Sequence, residues 1–379
     1  MNISRGTAAR SALAVALLFF AGRAFGSSIQ YTITTYNLPG FTPIAISGDY
    51  IAGDLTVGGV VHAALLHNGS LTDLGAGPGG VSATVLGVNS AGQVVGQTGS
   101  GQTGSPRAIL WSGGTATDIT PQGMTAAAAT GINSSGQVVG INYTNPNAYA
   151  DSWFVENLSG GSTAIGGHDF LDASGGLVYP GADGLTGTYL NANGDVLASP
   201  FYGWESLDIG GTITTIEPST YFYGAVTGLN DSGEVIGSSE GLSDSPFGYS
   251  YDPNTAAYTN LGFCPTGIND AGTIVGDQTC NPNGATGEVR IAGQNYLLSQ
   301  IVSGLNGATM YWTVGINAEG QILGYGTDST GAPITYLLTQ SGASAPEPTA
   351  WLLFGGGLVA VLFAKPALRR NSRAHRLRR

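Results

Sequence analysis

The chain has 379 residues, of which 62 are glycine and only 9% are charged, and its formal net charge is −12. An apolar fraction of 42% excludes a disordered or collagen-like chain. The charges are segregated: only Arg107 and Arg290 of the 12 basic residues, but every acidic residue except Glu347, lie between Asp49 and Asp328. An acidic body of this kind repels phosphate backbones, which argues against nucleic acid as a partner.

Residues 1–26 predict a secretory signal peptide. Arg5 and Arg10 supply its positive start, a short apolar core spans 12–21, and a small-x-small cleavage site lies at 24–26. The apolar core is too short to span a bilayer. We therefore expect signal peptidase to remove this segment during export across the inner membrane, with an uncleaved anchor as the alternative.

The C-terminal segment, residues 341–379, has three parts in order. A Pro-Glu-Pro triplet comes first, an apolar run follows at 349–364, and a cluster of basic residues begins at Lys365. An apolar run this short crosses a membrane only marginally, and the positive-inside rule keeps the basic cluster in the cytoplasm. The segment therefore predicts a transmembrane helix in the precursor, with an ordinary tail anchor as the alternative.

This order of elements resembles the PEP-CTERM sorting signal over residues 346–379. The resemblance implies a Gram-negative producer and cleavage near Pro346, Glu347 and Pro348 by an exosortase, a membrane-bound cysteine transpeptidase. It also implies release to the cell surface or to the exopolysaccharide matrix of a biofilm. The chain would then contact the membrane only through this segment, before processing.

One ten-residue string recurs through the body of the chain. Its clearest copies are GVNSAGQVVG at 87–96 and GINSSGQVVG at 131–140, and a degenerate copy spans 45–53. The copies recur every ~45 residues, which is the size of a four-stranded propeller blade. Each full copy pairs an Asn with a Gly three residues later: Asn89, Gly92, Asn133, Gly136, Asn191, Gly194, Asn230, Gly233, Asn269, Gly272, Asn317 and Gly320.

The Asn-x-x-Gly spacing predicts a tight turn between two strands. An Asn side chain can accept a hydrogen bond from the backbone two residues on, and Gly adopts positive φ without strain. Flanking β-branched residues suit buried strands. Further strands follow in the units, as in HAALLH at 62–67 and SLTDLG at 70–75, and nothing in the body indicates a long helix.

We therefore predict an all-β domain over residues 27–340, a propeller of four-stranded antiparallel blades. The last unit stops after its third strand near Gln340, while the segment 31–40 resembles a fourth strand. This N-terminal strand would complete the last blade and close the ring, which removes exposed sheet edges. Seven blades are predicted, and six or eight stay open because 170–180 resembles a further copy of the string.

The repeat also resembles the HAF family of bacterial extracellular repeats, whose units carry an Ile-Asn-x-x-Gly-Gln-Val-Val-Gly core followed by His-Ala-Phe. Asn89, Asn133 and Asn317 match that core well, whereas the segment 62–64 only approximates the triplet. The resemblance covers most of residues 41–340. It implies a repeat architecture and an extracellular location without an assigned activity.

Cys264 and Cys280 are the only cysteines and flank the Asn269 turn, so the oxidising compartment of an exported chain predicts a disulfide between them. Oxygen-bearing residues also cluster at the turns of Asn191 and Asn230. They do not match a calcium-loop motif, and turn formation accounts for them. No metal and no cofactor are expected, although calcium stays open.

The sequence contains no catalytic motif: it lacks G-x-S-x-G, H-E-x-x-H, a phosphate loop and a dinucleotide fingerprint. His168 beside Asp169 is a candidate acid–base pair, but neighbouring strand residues point to opposite faces. No catalytic residue is therefore assigned. A carboxylate pair would escape this search because such pairs are set by space. Aromatic clusters such as Trp153-Phe154 could stack on sugar rings or fill space between blades.

The resulting hypothesis is a non-enzymatic scaffold or binding module at the cell surface, with exopolysaccharide or a surface protein as its partner. Exosortase and signal peptidase are the partners expected during processing. The alternative is a propeller-type polysaccharide hydrolase or lyase, and a structural module that binds divalent cations diffusely is a third hypothesis. Acidic side chains in the central channel would favour the enzyme, and small or apolar ones the scaffold.

Overall fold

Short antiparallel strands make up nearly all of the computed structural model, as the β-branched and alternating sequence requires. The structure describes residues 29–79, 81–99, 105–142, 152–158, 165–168, 185–200, 205–216, 223–240, 246–280 and 286–341. Gln30–Gln340 form one compact unit. The predicted signal peptide, the Pro-Glu-Pro triplet with the segment behind it, and residues 170–180 lie outside the described residues.

The strands form seven sheets, which are the seven blades of a β-propeller. Blade 1 comprises β2 (Phe41–Ser47), β3 (Tyr50–Val57), β4 (Val60–His67) and β5 (Ser70–Gly75). Blade 2 comprises β6 (Ala83–Val88), β7 (Val94–Thr98), β8 (Arg107–Ser112) and β9 (Thr115–Asp118). Blade 3 comprises β10 (Ala127–Ile132), β11 (Gln137–Asn142), β12 (Ser152–Asn157) and β13 (Ile165–His168).

The second half of the ring follows the same order of strands. Blade 4 comprises β14 (Leu185–Leu190), β15 (Val196–Pro200), β16 (Glu205–Ile209) and β17 (Thr212–Ile216). Blade 5 comprises β18 (Tyr223–Leu229), β19 (Val235–Glu240), β20 (Pro246–Asp252) and β21 (Ala257–Asn260). Blade 6 comprises β22 (Cys264–Ile268), β23 (Ile274–Asp277), β24 (Gly287–Ile291) and β25 (Gln294–Leu297).

Blade 7 closes the ring with a strand from the other end of the chain. It comprises β27 (Thr309–Ile316), β28 (Ile322–Thr327), β29 (Pro333–Gln340) and the N-terminal strand β1 (Tyr31–Tyr36). Strand β1 runs antiparallel to β29, with Tyr31 opposite Gln340. The predictions of an all-β propeller, of seven blades and of closure by the N-terminal strand are confirmed.

Blade 7 also carries a fifth strand that the sequence did not predict. A four-residue helix, α1 (Leu298–Ile301), leads into β26 (Val302–Ser303), which pairs with β1 in parallel. The Ser303 hydroxyl donates a hydrogen bond of 3.1 Å to the Tyr31 carbonyl. The closing strand is therefore held on both of its edges. No helix in the described part of the chain is long and apolar enough to cross a membrane.

The first strands of the blades pack side by side in a closed ring, with β27 against β2 completing the circle. Their close approach requires glycine. A Cβ atom on Gly267 would lie 3.0 Å from the Cα of Gly315, and one on Gly87 would lie 3.3 Å from the Cα of Gly131. The glycine before each Ile-Asn or Val-Asn pair thus serves packing between blades.

The hydrophobic core lies between neighbouring blades. Between blades 1 and 2, for example, Ala52 and Ala63 pack with Val85 and Trp111. Each sheet is covered on both faces, so consecutive apolar residues are all buried, as the fully buried pair Val94-Val95 illustrates. The apolar runs after each turn therefore belong to central strands.

Candidate functional site

The Asn residues of the repeat fold the tight turns at one end of the propeller. In blade 3, the Asn133 side-chain oxygen accepts hydrogen bonds from the backbone N–H groups of Ser135, at 3.1 Å, and Gln137, at 2.9 Å. Gly136 adopts a φ of 78°. We call this end, which holds the turns after the seven first strands, the turn rim, and the opposite end the loop rim.

The same Asn side chains also join the blades. The amide nitrogen of Asn133 donates to the carbonyl of Asn191 at 3.0 Å, and the links from Asn89, Asn191, Asn230 and Asn269 repeat this bond. Asn317 donates to the carbonyl of Gly48, because blade 1 lacks the Asn. Sequence reasoning predicted the turn but missed this ladder, since an inter-blade partner lies about 40 residues away in sequence.

Acidic residues of the turns extend the ladder. The Asp231 carboxylate accepts a hydrogen bond from the Ala192 N–H at 2.8 Å, and Asp270 accepts one from the Asp231 N–H at 2.9 Å. Asp195 accepts one from the amide of Asn191 at 2.9 Å. These carboxylates link protein groups, and the described residues contain no cluster of three or more His, Cys, Asp or Glu that could hold a metal ion.

The residue four positions after the turn Asn distinguishes blade 5 from its neighbours. In blades 2, 3 and 7 this residue is a Gln whose oxygen accepts a hydrogen bond from its own turn Asn at 2.8 Å. In blade 5 it is Glu234, and its carboxylate is hydrogen-bonded to the Ser250 hydroxyl and faces the charges of Asp252 and Arg290. Blade 5 therefore brings an acidic pair together at the turn rim.

The environments of the two carboxyl groups push their pKa values apart. Burial, together with the negative charge of Asp252, raises the pKa of Glu234 above its ordinary value. Hydrogen bonds from the Asn254 backbone and the Thr255 hydroxyl, each at 2.9 Å, lower the pKa of Asp252. One group is thus suited to hold a proton and the other to stay ionised, which is the pattern of an acid–base pair.

Arg290 brings a positive charge to this pair from blade 6. Its guanidinium donates a hydrogen bond of 2.8 Å to the side chain of Asn295. Asn295 in turn donates one of 2.7 Å to the carbonyl of Leu261, which fixes the position of the guanidinium against blade 5. Glu234, Asp252 and Arg290 are all partly exposed, so a ligand can reach them from the turn rim.

The central channel does not hold such a group. None of the seven first strands that surround it contains an Asp or Glu. Partly buried Leu86, Thr130 and Thr266 represent the small and apolar side chains found there. The carboxylates that pair therefore lie at the turn rim between blades 5 and 6, away from the place where sequence analysis put the test for an enzyme.

A buried acid and the disulfide lie on the other side of blade 6. Cys264 and Cys280 are joined, with their Cα atoms 5.2 Å apart. Asp277, opposite Cys264 in the sheet, is fully buried and accepts a hydrogen bond of 3.2 Å from the Thr313 N–H. Burial raises the pKa of Asp277 to about 7. Because it has no access to solvent, Asp277 joins blades 6 and 7 and contacts no ligand.

The loop rim carries two cavities beside blade 7. One, of about 600 Å³, lies between blades 7 and 1 and is lined by Leu38, Pro39 and Tyr325 among others. The other, of about 440 Å³, lies between blades 6 and 7 and is lined by Thr309 and Tyr311 among others. Neither cavity has a charged residue in its lining.

The remaining candidates from the sequence have structural surroundings or lie outside the described residues. His62 contacts Asp73 at 2.9 Å, and His67 stacks on Tyr50 with ring centroids 4.3 Å apart. Trp153, like its neighbour Phe154, is buried. Asp169 and the sorting residues Pro346, Glu347 and Pro348 lie outside the described part of the chain.

Comparison with known proteins identifies the fold. No family model matches the chain, and no curated protein matches its sequence. Among solved structures, prolyl endopeptidases match 83% of this chain and 51% of their own at 11% identity and a TM-score of 0.49. The acylaminoacyl peptidase of Pyrococcus horikoshii matches 85% of this chain and 54% of its own at 10% identity and a TM-score of 0.49.

A Trypanosoma rangeli sialidase also aligns, over 90% of this chain and 60% of its own, at 8% identity and a TM-score of 0.36. The chain spans about half the length of the first matching peptidases. At such low identities these likenesses show the fold alone. The expectation of a non-enzymatic scaffold, and of a protein that is not an enzyme, is nevertheless corrected: the aligned structures are peptidases and a sialidase, so this fold occurs in hydrolases.

Proposed function

We propose that the protein is an exported hydrolase that cleaves polysaccharide at the Glu234–Asp252 pair. The observation that carries this proposal is the pairing of two carboxyl groups with opposite pKa shifts beside Arg290 at the turn rim. Glycoside hydrolysis needs two carboxyl groups in different protonation states on either side of the scissile bond. No other described pair in this chain has that combination of opposite shifts and mutual charge interaction.

The two groups have complementary roles in the proposed reaction. Protonated Glu234 donates its proton to the glycosidic oxygen as the bond from that oxygen to the anomeric carbon breaks. Asp252 stabilises the positive charge that develops on the sugar and accepts a proton from the water that adds to the anomeric carbon. One water is consumed per bond, and proton exchange with solvent restores both groups.

Two neighbours position the acid. The Ser250 hydroxyl and the positive charge of Arg290 both favour the ionised form of Glu234 and so limit the rise in its pKa. They hold the pKa in a range where proton transfer remains efficient. The guanidinium of Arg290 can also donate hydrogen bonds to sugar hydroxyl groups.

The choice of polysaccharide follows from the address signals. The signal peptide at 1–26 and the resemblance to the PEP-CTERM signal over 346–379 support export and exosortase processing to a surface rich in exopolysaccharide. The resemblance of the turns to HAF repeats supports the same extracellular location. Mass spectrometry of the protein released by its producer tests this route, which predicts new termini after Gly26 and near Pro346.

Product analysis tests the activity. The full chain is incubated with neutral and anionic polysaccharides, and soluble oligosaccharides are measured by chromatography for wild type and Glu234→Gln. Gln is the residue that blades 2, 3 and 7 carry at this position, so the variant keeps the fold. We expect Glu234→Gln to lower the rate by at least about 100-fold. Absence of products from every polysaccharide, or equal rates for the two proteins, overturns the proposal.

A further inference from the structure

Blade 7 departs from the other blades at the loop rim. Each first strand of blades 1 to 6 has one irregularity in its pairing with the second strand. Strand β27 has two, and the additional one lies between Met310 and Trp312. A bulge of this kind re-aims the extra residue, and bulges are frequent beside binding sites. The extra residue here is Tyr311.

The additional bulge turns Tyr311 out of the sheet. Its side chain is 41% exposed, whereas its neighbour Met310 is buried. The Tyr311 hydroxyl accepts a hydrogen bond of 3.4 Å from the Thr327 hydroxyl, which restrains the ring at the edge of the 440 Å³ cavity. A large aromatic ring held in solvent by the backbone is suited to contact a ligand.

A second tyrosine stands on the other side of the same blade. Tyr325 is 39% exposed and lines the 600 Å³ cavity between blades 7 and 1. It pairs with Trp312, the residue after Tyr311. At the corresponding strand position blades 1 and 6 carry Asp54 and Asp277, whose carboxylates accept hydrogen bonds from the next blade. Blade 7 thus has an exposed ring where those blades have an inter-blade link.

The chemistry of this surface selects a neutral ligand. The linings of both cavities combine tyrosine and proline rings with threonine hydroxyl groups, such as those of Thr309 and Thr335, and they contain no charged residue. Flat rings stack on the apolar faces of sugars, while hydroxyl groups bond to their polar edges. The strongly acidic body repels anionic polymers. A neutral glycan satisfies all three conditions.

We propose that Tyr311 and Tyr325 form a binding site for neutral polysaccharide on the loop rim of blade 7, separate from the Glu234–Asp252 pair. This inference rests on the proposed function only in expecting polysaccharide as the ligand. The site lies at the opposite end of the propeller from the carboxylate pair. It would hold the polymer against the protein while other parts of that polymer are cleaved.

Affinity electrophoresis of the full chain tests the site, with a neutral β-glucan, a neutral α-glucan and anionic alginate as the probes. We expect a neutral glucan to retard wild type, and Tyr311→Ala with Tyr325→Ala to weaken binding by at least about tenfold. The paired Tyr→Phe substitutions keep both rings and should bind as wild type does. Tyr258→Ala, at a 40% exposed tyrosine on blade 5, is the matched control and should also bind.

The outcomes separate this inference from the proposed function. Retardation of Glu234→Gln equal to that of wild type, with hydrolysis lost, supports both. Retardation without any hydrolysis by wild type overturns the proposed function alone. Absence of retardation by either neutral glucan, equal retardation of the alanine and phenylalanine variants, or stronger retardation by alginate overturns the binding site.

Discussion

The junction between blades 2 and 3 and the junction between blades 5 and 6 are built from the same repeat but hold different groups. At the first, the side chains of Asn89 and Gln93 bond to each other and Asn89 reaches the carbonyl of Asn133. At the second, Glu234 replaces the Gln and meets Asp252 and Arg290. The Asn and Gly of the string therefore fix the framework, and its fifth residue is free to acquire chemistry.

The largest stability effect is expected at Asp277, beside the chemically distinct half of the ring. Its pKa is raised from 3.8 to about 7 by burial, and the titratable group facing it is Tyr336, whose pKa is raised by burial and by the Asp277 charge. The unfolded chain releases this proton first, so stability falls as pH rises from about 4 to about 7.

Asp277→Asn removes that dependence. The variant should match wild type near pH 4 and exceed its unfolding free energy by up to about 4 kcal/mol above pH 7. Urea unfolding of both proteins at pH 4 and pH 8 measures the difference. Parallel stability profiles would show that the carboxyl group ionises freely in the folded protein.

Loss of the disulfide should have the next largest effect. The bond joins residues separated by 16 positions, and closing a loop of this size stabilises a folded chain by about 3 kcal/mol. Cys264→Ser combined with Cys280→Ser should lower the unfolding free energy by that amount in urea. Wild type with reductant should approach the double variant, and unchanged stability in both would contradict the account.

A change in the Asn ladder should cost less. Asn133→Ala removes the bond to the Asn191 carbonyl and leaves the N–H groups of Ser135 and Gln137 without their acceptor. We expect a loss of about 2 kcal/mol in unfolding free energy. Ser134→Ala, at an exposed position of the same turn, is the control and should change nothing. Equal stability of the two variants would remove the ladder from the account.

The smallest effect is expected when the blade 5 residue is placed in blade 2. Gln93→Glu keeps an oxygen that can accept the bond from Asn89, so stability should fall by less than about 1 kcal/mol. Hydrolysis should be unchanged, because Trp111, opposite Val94, stands where blade 5 has Tyr251, and Ser112 follows where blade 5 has Asp252. A change in rate would show that a lone carboxylate at this position is sufficient.

The sequence predicted the framework because its causes are local. An Asn and a Gly three residues apart make the turn, β-branched residues make the strands, and the unfinished last unit calls for the N-terminal strand. It did not predict the candidate site, because Glu234 occupies a position that reads as an ordinary member of the repeat. Its partner Asp252 lies two strands later, and only pairing of β19 with β20 brings the two together.

The additional bulge in blade 7 escaped for a similar reason. Tyr311 and Tyr325 read as two of 17 tyrosines. Their exposure depends on a pairing irregularity between β27 and β28 that leaves no mark in the residue pattern. Strand β26 was missed because two residues are too few to show a period.

The pH profile of polysaccharide hydrolysis tests the central claim most directly. The Ser250 hydroxyl lowers the pKa of Glu234, so Ser250→Ala should raise that pKa further. Because Glu234 must be protonated to act, the alkaline limb of the profile should move to higher pH in Ser250→Ala, while Glu234→Gln loses the activity. An alkaline limb that stays in place in Ser250→Ala, or hydrolysis that survives in Glu234→Gln, would contradict the assignment of Glu234 as the acid.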